Sequence, residues 1–159
     1  MKLIKILFLF SLTFILACGS DTPDGWNEMS LLQYGLPITL IAPDSADVKT
    51  MDLGLMKDVS VKKGDDFYVQ ITMSEATSID VSALVADQLD AEKGRRNFLR
   101  IVQEDPAGFI VERSIDSTRN TFDFRYVSVK GEHQFLFQTG LSGFYSLEEV
   151  ERMYKSVQQ

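Results

Sequence analysis

Four consecutive strand candidates, separated only by short turns, occupy the second half of the chain. Each is rich in β-branched and aromatic residues, and together they cover residues 97–103, 109–115, 121–129 and 133–139. The connections contain only three to five residues. Parallel neighbours need a crossover of a dozen or more residues, so such short connections allow only antiparallel pairing. This segment therefore predicts an antiparallel meander.

Aromatic residues alternate along the last two of these strand candidates. Successive side chains of a strand point to opposite faces, so residues two apart share one face. The residues that share a face in this way are Phe122, Phe124 and Tyr126 on one strand and Phe135 and Phe137 on the next. We expect them to form the core side of the sheet. The alternative is that they line a cavity for a small apolar ligand.

The first half of the chain contains a strand candidate and a hairpin. Residues 36–43 form the strand candidate, which Pro43 ends, and residues 44–47 supply turn chemistry. The hairpin spans residues 58–74 with a turn at 63–65. Its expected inward-facing residues are Val59, Val61, Phe67, Val69, Ile71 and Met73.

Two segments have the apolar spacing of amphipathic helices. In residues 79–94 the apolar stripe contains Val81, Leu84, Val85 and Leu89, and Gly94 is expected to end the helix. The charged residues assigned to the solvated face of this helix are Asp87, Asp90, Glu92 and Lys93. The second helix begins with a capping box formed by Ser146 and Glu149. Its stripe contains Leu147, Val150, Tyr154 and Val157, with Met153 beside it.

These elements predict the α+β class. We expect one globular domain over residues 26–159, with an antiparallel sheet of about six strands and two amphipathic helices packed on it. The order of elements resembles that of PsbP-like domains. The resemblance rests on the segment Tyr34-Gly35-Leu36-Pro37-Ile38 and on the final helix candidate at residues 146–157. It implies a fold and no specific activity.

The N-terminus has the form of a secretion signal. Lys2 and Lys5 precede an uncharged apolar run over residues 6–17, and a membrane-spanning helix needs roughly 20 apolar residues. The run ends at the only cysteine of the chain, Cys18. The sequence Ile15-Leu16-Ala17-Cys18 resembles the lipobox of bacterial lipoproteins.

The lipobox resemblance implies processing and a location. It implies that a signal peptide of residues 1–17 is removed and that Cys18 carries a diacylglycerol and an N-acyl chain such as palmitate. Residues 18–25 then form a lipidated tether, whose segment after the cysteine reaches roughly 20 Å when extended. The location implied is the cell envelope. Because Gly19 follows the cysteine in place of an inner-membrane retention aspartate, the outer membrane facing the periplasm is favoured in a Gram-negative cell.

Charge and residue types exclude several classes of function. Removal of Lys2 and Lys5 from the 16 basic residues leaves 14 against 23 acidic ones, a formal net charge of −9. Such acidity disfavours nucleic acid as a partner. His133 is the only histidine and acylation leaves no free thiol, so a Cys–His pair or a zinc site is not expected. We predict no metal, no cofactor and no catalytic residues.

One segment is richer in glycine and apolar residues than a connection requires. Between the last strand and the final helix, Leu141, Phe144 and Tyr145 follow or flank Gly140 and Gly143. We assign these three side chains as candidate contacts to a partner. The alternative is a tight connection with its glycines at positive φ and with Leu141 or Phe144 packed on the helix.

A basic cluster is the other candidate recognition feature. It contains Lys93, Arg95, Arg96 and Arg100, which either receive an acidic partner or cap the first helix and solvate an edge of the sheet. The leading hypothesis is a membrane-anchored, non-catalytic lipoprotein that binds an envelope protein. The alternatives are a module that binds a small apolar ligand or lipid, and an enzyme whose carboxylates are not recognisable from spacing.

Overall fold

The computed structural model describes residues 22–158 as one α+β domain. The strands are β1 (Trp26–Ser30), β2 (Thr39–Pro43), β3 (Asp47–Asp52), β4 (Met56–Lys63), β5 (Phe67–Glu75), β6 (Phe98–Asp105), β7 (Gly108–Ser114), β8 (Asn120–Lys130) and β9 (His133–Thr139). The helices are α1 (Val81–Lys93) and α2 (Leu147–Val157), and a short 3-10 helix spans Leu32–Tyr34. The predicted signal peptide (residues 1–17) and Cys18 lie outside the described residues.

The main sheet contains seven strands in the order β3-β4-β5-β9-β8-β7-β6, and all of its neighbouring strands are antiparallel. The α+β class and the meander are therefore confirmed, but the sheet is larger than the expected six strands. The strand of the main sheet that was not predicted from the sequence is β3, which lies at the edge of the sheet. Because its side chains are mostly exposed, it lacks the apolar alternation that marks half-buried strands.

The predicted first strand, β2, is not part of the main sheet. It pairs with β1 in a separate two-stranded sheet, in which Trp26 lies opposite Pro43. Leu40 and Ala42 of β2 are buried in the core that α2 shares with the main sheet. The small sheet thus covers the main sheet instead of extending it.

The main sheet has a separate core on each face. On one face, α2 and β2 pack on Phe124, Phe135 and Phe137, and on the other α1 packs on Phe109 and Val127. Alternation along β8 sends Phe124 towards α2 and Val127 towards α1, as residues of opposite parity must point. The expectation that the alternating aromatic residues form the core is confirmed, with Phe122 and Tyr126 only partly buried.

Both helices begin where local chemistry supports them. Ser146 caps α2: its Oγ accepts from Glu149 N at 3.3 Å, and Ser146 N donates to Glu149 Oε2 at 2.7 Å. The Ser146 hydroxyl also donates to Glu149 Oε2 at 2.7 Å, and this hydrogen bond, together with the one from Ser146 N, lowers the pKa of the Glu149 carboxyl below its usual value. Asp80, which sequence did not identify as a cap, accepts from Ser82 N at 3.0 Å at the start of α1. No helix within residues 22–158 combines the length and the apolarity that crossing a bilayer requires.

The strand register defines two ends of the main sheet. The entry end is the end at which β1 begins, because the Trp26 ring lies 5.0 Å from the ring of Phe67, the first residue of β5. The carboxyl end of β9 lies here too, since Thr139 is paired with Val69. The opposite, hairpin end carries the β3–β4 turn, where Met56 is paired with Ser74 at the far end of β5.

Candidate functional site

The segment from Gly140 to Phe144, here called the entry-end loop, runs across the entry end of the sheet between β9 and α2. Leu141 is 82 % exposed and Phe144 is 72 % exposed. Tyr145, the third residue of the predicted contact, is only 4 % exposed and belongs to the core. The assignment of Tyr145 to a contact surface is therefore wrong, because its ring packs inward at the start of α2.

The entry-end loop is fixed by its neighbours on β8 and in α2. Tyr145 N donates to Thr121 Oγ1 at 2.8 Å, and Phe122 N donates to the Tyr145 carbonyl at 3.0 Å. Tyr145 precedes the N-cap of α2 and shares a core cluster with Val150, four residues into the helix, as in a hydrophobic staple. Burial raises the pKa of the Tyr145 phenol to about 12, so this side chain stays neutral.

The two glycines of the loop are required by close packing. A Cβ on Gly140 would overlap the Tyr68 ring, and one on Gly143 would overlap the Tyr145 ring. Neither glycine has a positive φ, so the alternative interpretation of the loop was wrong on that point. It was also wrong that Leu141 or Phe144 packs on the helix, because both remain exposed.

A second exposed apolar group lies at the hairpin end. It consists of Met51, Leu53, Leu55 and Met56, here called the hairpin patch, and Leu55 is 95 % exposed at the tip of the β3–β4 turn. Beside it lies a surface groove of about 450 Å³, whose lining includes Leu55, Met73, Glu75 and His133. This patch was not predicted from the sequence, although the two leucines that flank the turn glycine, Gly54, indicate exposed apolar surface.

A groove of about 360 Å³ lies where the described chain begins. Thr22 and Pro23 line it together with Trp26, and the α2 residues Arg152 and Lys155 supply its basic side. Gly25 accepts a hydrogen bond from Asp44 N at 2.8 Å and Pro23 accepts one from Trp26 N at 3.1 Å. The chain is thus turned at Pro23 and hydrogen-bonded to the body of the domain from Gly25 onwards.

Charged side chains are buried between α1 and the main sheet. Glu92 of α1 is only 2 % exposed, and its Oε1 lies 2.7 Å from Arg125 Nη2. Its other carboxylate oxygen pairs with Arg113. Asp123 closes the ring, with oxygens 2.7 Å from Arg113 Nη1 and 2.9 Å from Arg125 Nη1. Thr139 also donates to Asp123.

This ring corrects the assignment of Glu92 to a solvated helix face. Glu92 follows Leu89 by three residues and Val85 by seven, so it lies on the apolar stripe. Asp87 and Asp90, in contrast, are exposed as expected. The two carboxylates and two guanidiniums of the ring balance in charge, and Arg113 Nε is its one buried polar atom without a hydrogen-bond partner. The arrangement is suited to holding α1 on the sheet.

The predicted basic cluster divides into paired and exposed residues. Arg95 Nε lies 3.1 Å from Glu92 Oε1, and Arg100 Nε lies 2.6 Å from Glu112 Oε2. The ammonium group of Lys93 lies 3.9 Å from Asp90. Arg96 is exposed. Three of the four cations therefore have local carboxylate partners, which leaves less of their charge available to an acidic partner.

His133 is the exposed first residue of β9, the ordinary strand-start position that its sequence context suggested. Among residues 22–158, no three His, Cys, Asp or Glu side chains form a group suited to a metal ion.

The chain matches no protein-family model, and comparison with curated proteins and solved structures finds no significant similarity. The resemblances to lipoproteins and to PsbP-like domains stay predictions.

Proposed function

We propose that this protein is a lipoprotein of the cell envelope, anchored through Cys18, that binds another envelope protein through the hairpin patch and has no catalytic role. The observation that carries the proposal is the exposure of Leu53 and Leu55 at the hairpin end of the sheet, opposite the end at which β1 begins. An anchor attached ahead of β1 leaves that end free to meet proteins away from the membrane.

The two leucines present apolar surface to solvent, with Leu55 95 % exposed and Leu53 50 % exposed. Leu55 contacts neither core cluster. Burying one such side chain in an interface contributes about 1.5–3 kcal/mol, so two leucines supply a useful fraction of a micromolar affinity. The adjoining groove, with Glu75 and Lys57 in its lining, offers charges of both signs to orient a partner. These features suit an accessory module that contacts a protein surface.

The alternative, a module for a small apolar ligand, has less support. It requires the alternating aromatic residues to line a cavity between sheet and helix. Phe124, Phe135 and Phe137 instead pack with Met153 and Tyr154 of α2 in one core cluster. Their surfaces are occupied by other side chains of the domain.

Lipid attachment is tested by metabolic labelling of the full chain in a lipoprotein-processing host. We expect the wild type to incorporate labelled palmitate, and its intact mass to correspond to a chain that starts at Cys18 plus acyl groups. Cys18→Ala should reduce the label to background. An unlabelled wild-type chain that retains residues 1–17 would contradict the anchor.

Partner binding is tested with a photo-crosslinking amino acid at position 55 in the native host, and then with the purified crosslinked protein. We expect one adduct and direct binding, weakened about tenfold by Leu53→Ser because one buried leucine is lost. Leu99→Ser is the matched control, since Leu53 and Leu99 are 50 % and 49 % exposed and Leu99 lies on the opposite edge strand. An adduct only with a second copy of the chain, or equal weakening by Leu99→Ser, would contradict the proposal.

A further inference from the structure

We propose that the entry-end loop contacts the membrane to which the protein is anchored, with Leu141 and Phe144 inserted at the level of the lipid headgroups. The inference rests on the lipid anchor of the proposed function. It assigns a lipid surface, and no protein, to the two exposed residues that sequence singled out as a partner contact. The domain then has a membrane-facing end and a protein-facing end.

The position of the loop follows from the start of the chain. The Trp26 ring packs on Phe67, and Gly140 N donates to the carbonyl of the next residue, Tyr68, at 2.8 Å. The entry-end loop therefore leaves the sheet beside the point at which β1 begins. Leu141 is the first residue beyond that hydrogen bond.

The length of chain ahead of the domain brings this end to the membrane. Three residues separate Cys18 from Thr22, and a fully extended chain spans at most about 14 Å over that interval. Because Pro23 is already hydrogen-bonded to Trp26, little further length is released. An acylated Cys18 thus holds Thr22 within about 14 Å of the lipid headgroups, which brings the entry end of the domain and its loop towards the membrane surface.

The loop has the properties of an interfacial contact. Its glycines are packed under the Tyr68 and Tyr145 rings, so Leu141 and Phe144 are presented on a fixed backbone and lose little conformational entropy on insertion. A buried apolar side chain contributes about 1.5–3 kcal/mol. Since the anchor makes the encounter intramolecular, even partial burial suffices to orient the domain.

The charges near this end permit contact with a membrane despite the net charge of the whole chain. Arg152 and Lys155 line the groove at the chain entry, with Glu148 3.4 Å from Arg152 Nη1. The β4–β5 turn also has both signs, with Lys62 Nζ 4.0 Å from Asp65 Oδ1. Asp65 and Glu149 are charged neighbours of Tyr145, directly after the loop, so the proposed contact with lipid depends on the apolar side chains and not on charge.

The test uses the full, lipid-modified chain reconstituted into vesicles of phosphatidylethanolamine and phosphatidylglycerol. Because Cys18 is the only natural cysteine and would be acylated, an introduced cysteine is the only free thiol for an environment-sensitive fluorophore. The variants are Leu141→Cys and Phe144→Cys, with Leu55→Cys and Leu99→Cys as exposed controls. Flotation of the vesicles measures attachment, and quenchers carried on lipid or dissolved in water measure the environment of the label.

We expect labels at 141 and 144 to be quenched about threefold more by the lipid-borne quencher than labels at 55 and 99, as befits an interfacial depth. Floating protein whose loop labels behave like the controls would overturn the inference and leave the anchor intact. Loop labels that are shielded from the aqueous quencher but not reached by the lipid-borne one would also overturn it, in favour of a second copy. Protein that fails to float would overturn the anchor and the inference together.

Discussion

Replacing Glu92 with alanine is expected to lower the free energy of unfolding by about 3–5 kcal/mol. The substitution removes the carboxylate that pairs with both Arg113 and Arg125 between α1 and the sheet. Arg125 is 6 % exposed at its side chain and Arg113 is 14 % exposed, so water replaces the lost partner poorly. The remaining Asp123 cannot neutralise two guanidiniums. Urea denaturation followed by fluorescence of Trp26, the single tryptophan, measures the loss.

Asp87→Ala is the matched control for this prediction. Asp87 lies on the same helix and is exposed, so its removal should change the free energy of unfolding by no more than about 0.5 kcal/mol. Since both variants remove one negative charge from α1, a difference between them isolates burial and pairing from net charge. A loss below about 1 kcal/mol for Glu92→Ala would mean that the ring is hydrated and does not hold α1 on the sheet.

Phe124→Ala is the second substitution with a large expected effect, a loss of about 3–5 kcal/mol. Phe124 has no exposed surface, and its ring meets that of Tyr154 of α2 edge-on at 5.6 Å between centroids. Truncation leaves a cavity between the sheet and α2, where the surrounding strands are hydrogen-bonded on both sides and collapse poorly. Urea denaturation measures the effect. The midpoint concentration of urea should fall, while the slope of the free energy of unfolding against urea concentration stays unchanged.

Phe144→Ala supplies the comparison, because it removes the same ring from the entry-end loop. Because this ring is exposed, its removal should change the free energy of unfolding by no more than about 0.5 kcal/mol. Comparable losses for Phe124→Ala and Phe144→Ala would show that the loop packs on the domain in solution. With the expected outcome, Phe144 is free for the membrane contact, and variants of the loop can be interpreted without a folding defect.

The helices were predictable because their signals are local. The capping box of Ser146 and Glu149 and the stripe from Leu147 to Val157 lie within one short segment, and the observed α2 agrees with them. The strand from His133 to Thr139 was predicted to the residue. Alternation and short turns fix both the strands and their antiparallel pairing, since nearest neighbours in sequence become nearest neighbours in the sheet.

The exposure of the candidate contact residues was predicted less completely. Exposure of Leu141 and Phe144 agreed with their assignment, whereas Tyr145 was taken for a surface residue because an aromatic in a glycine-rich loop has no periodic pattern to place it. The hairpin patch was not predicted from the sequence because β3 is an edge strand. Because its side chains are mostly exposed, apolar and polar residues do not alternate along it. The turn between Asp52 and Met56 was therefore not predicted to be the tip of a hairpin.

The sequence by itself determined the class of the fold, the meander, both helices and the aromatic core, because these depend on periodicities that neighbouring residues share. Only the tertiary structure decided which face of α1 received Glu92, where β2 packed, and which ends of the sheet the two apolar groups occupy. Glu92 is buried because Arg113 and Arg125 arrive from strands more than 20 residues away. Burial of its charge is tolerated only when those partners are in place, so no local sequence pattern predicts that Glu92 is buried.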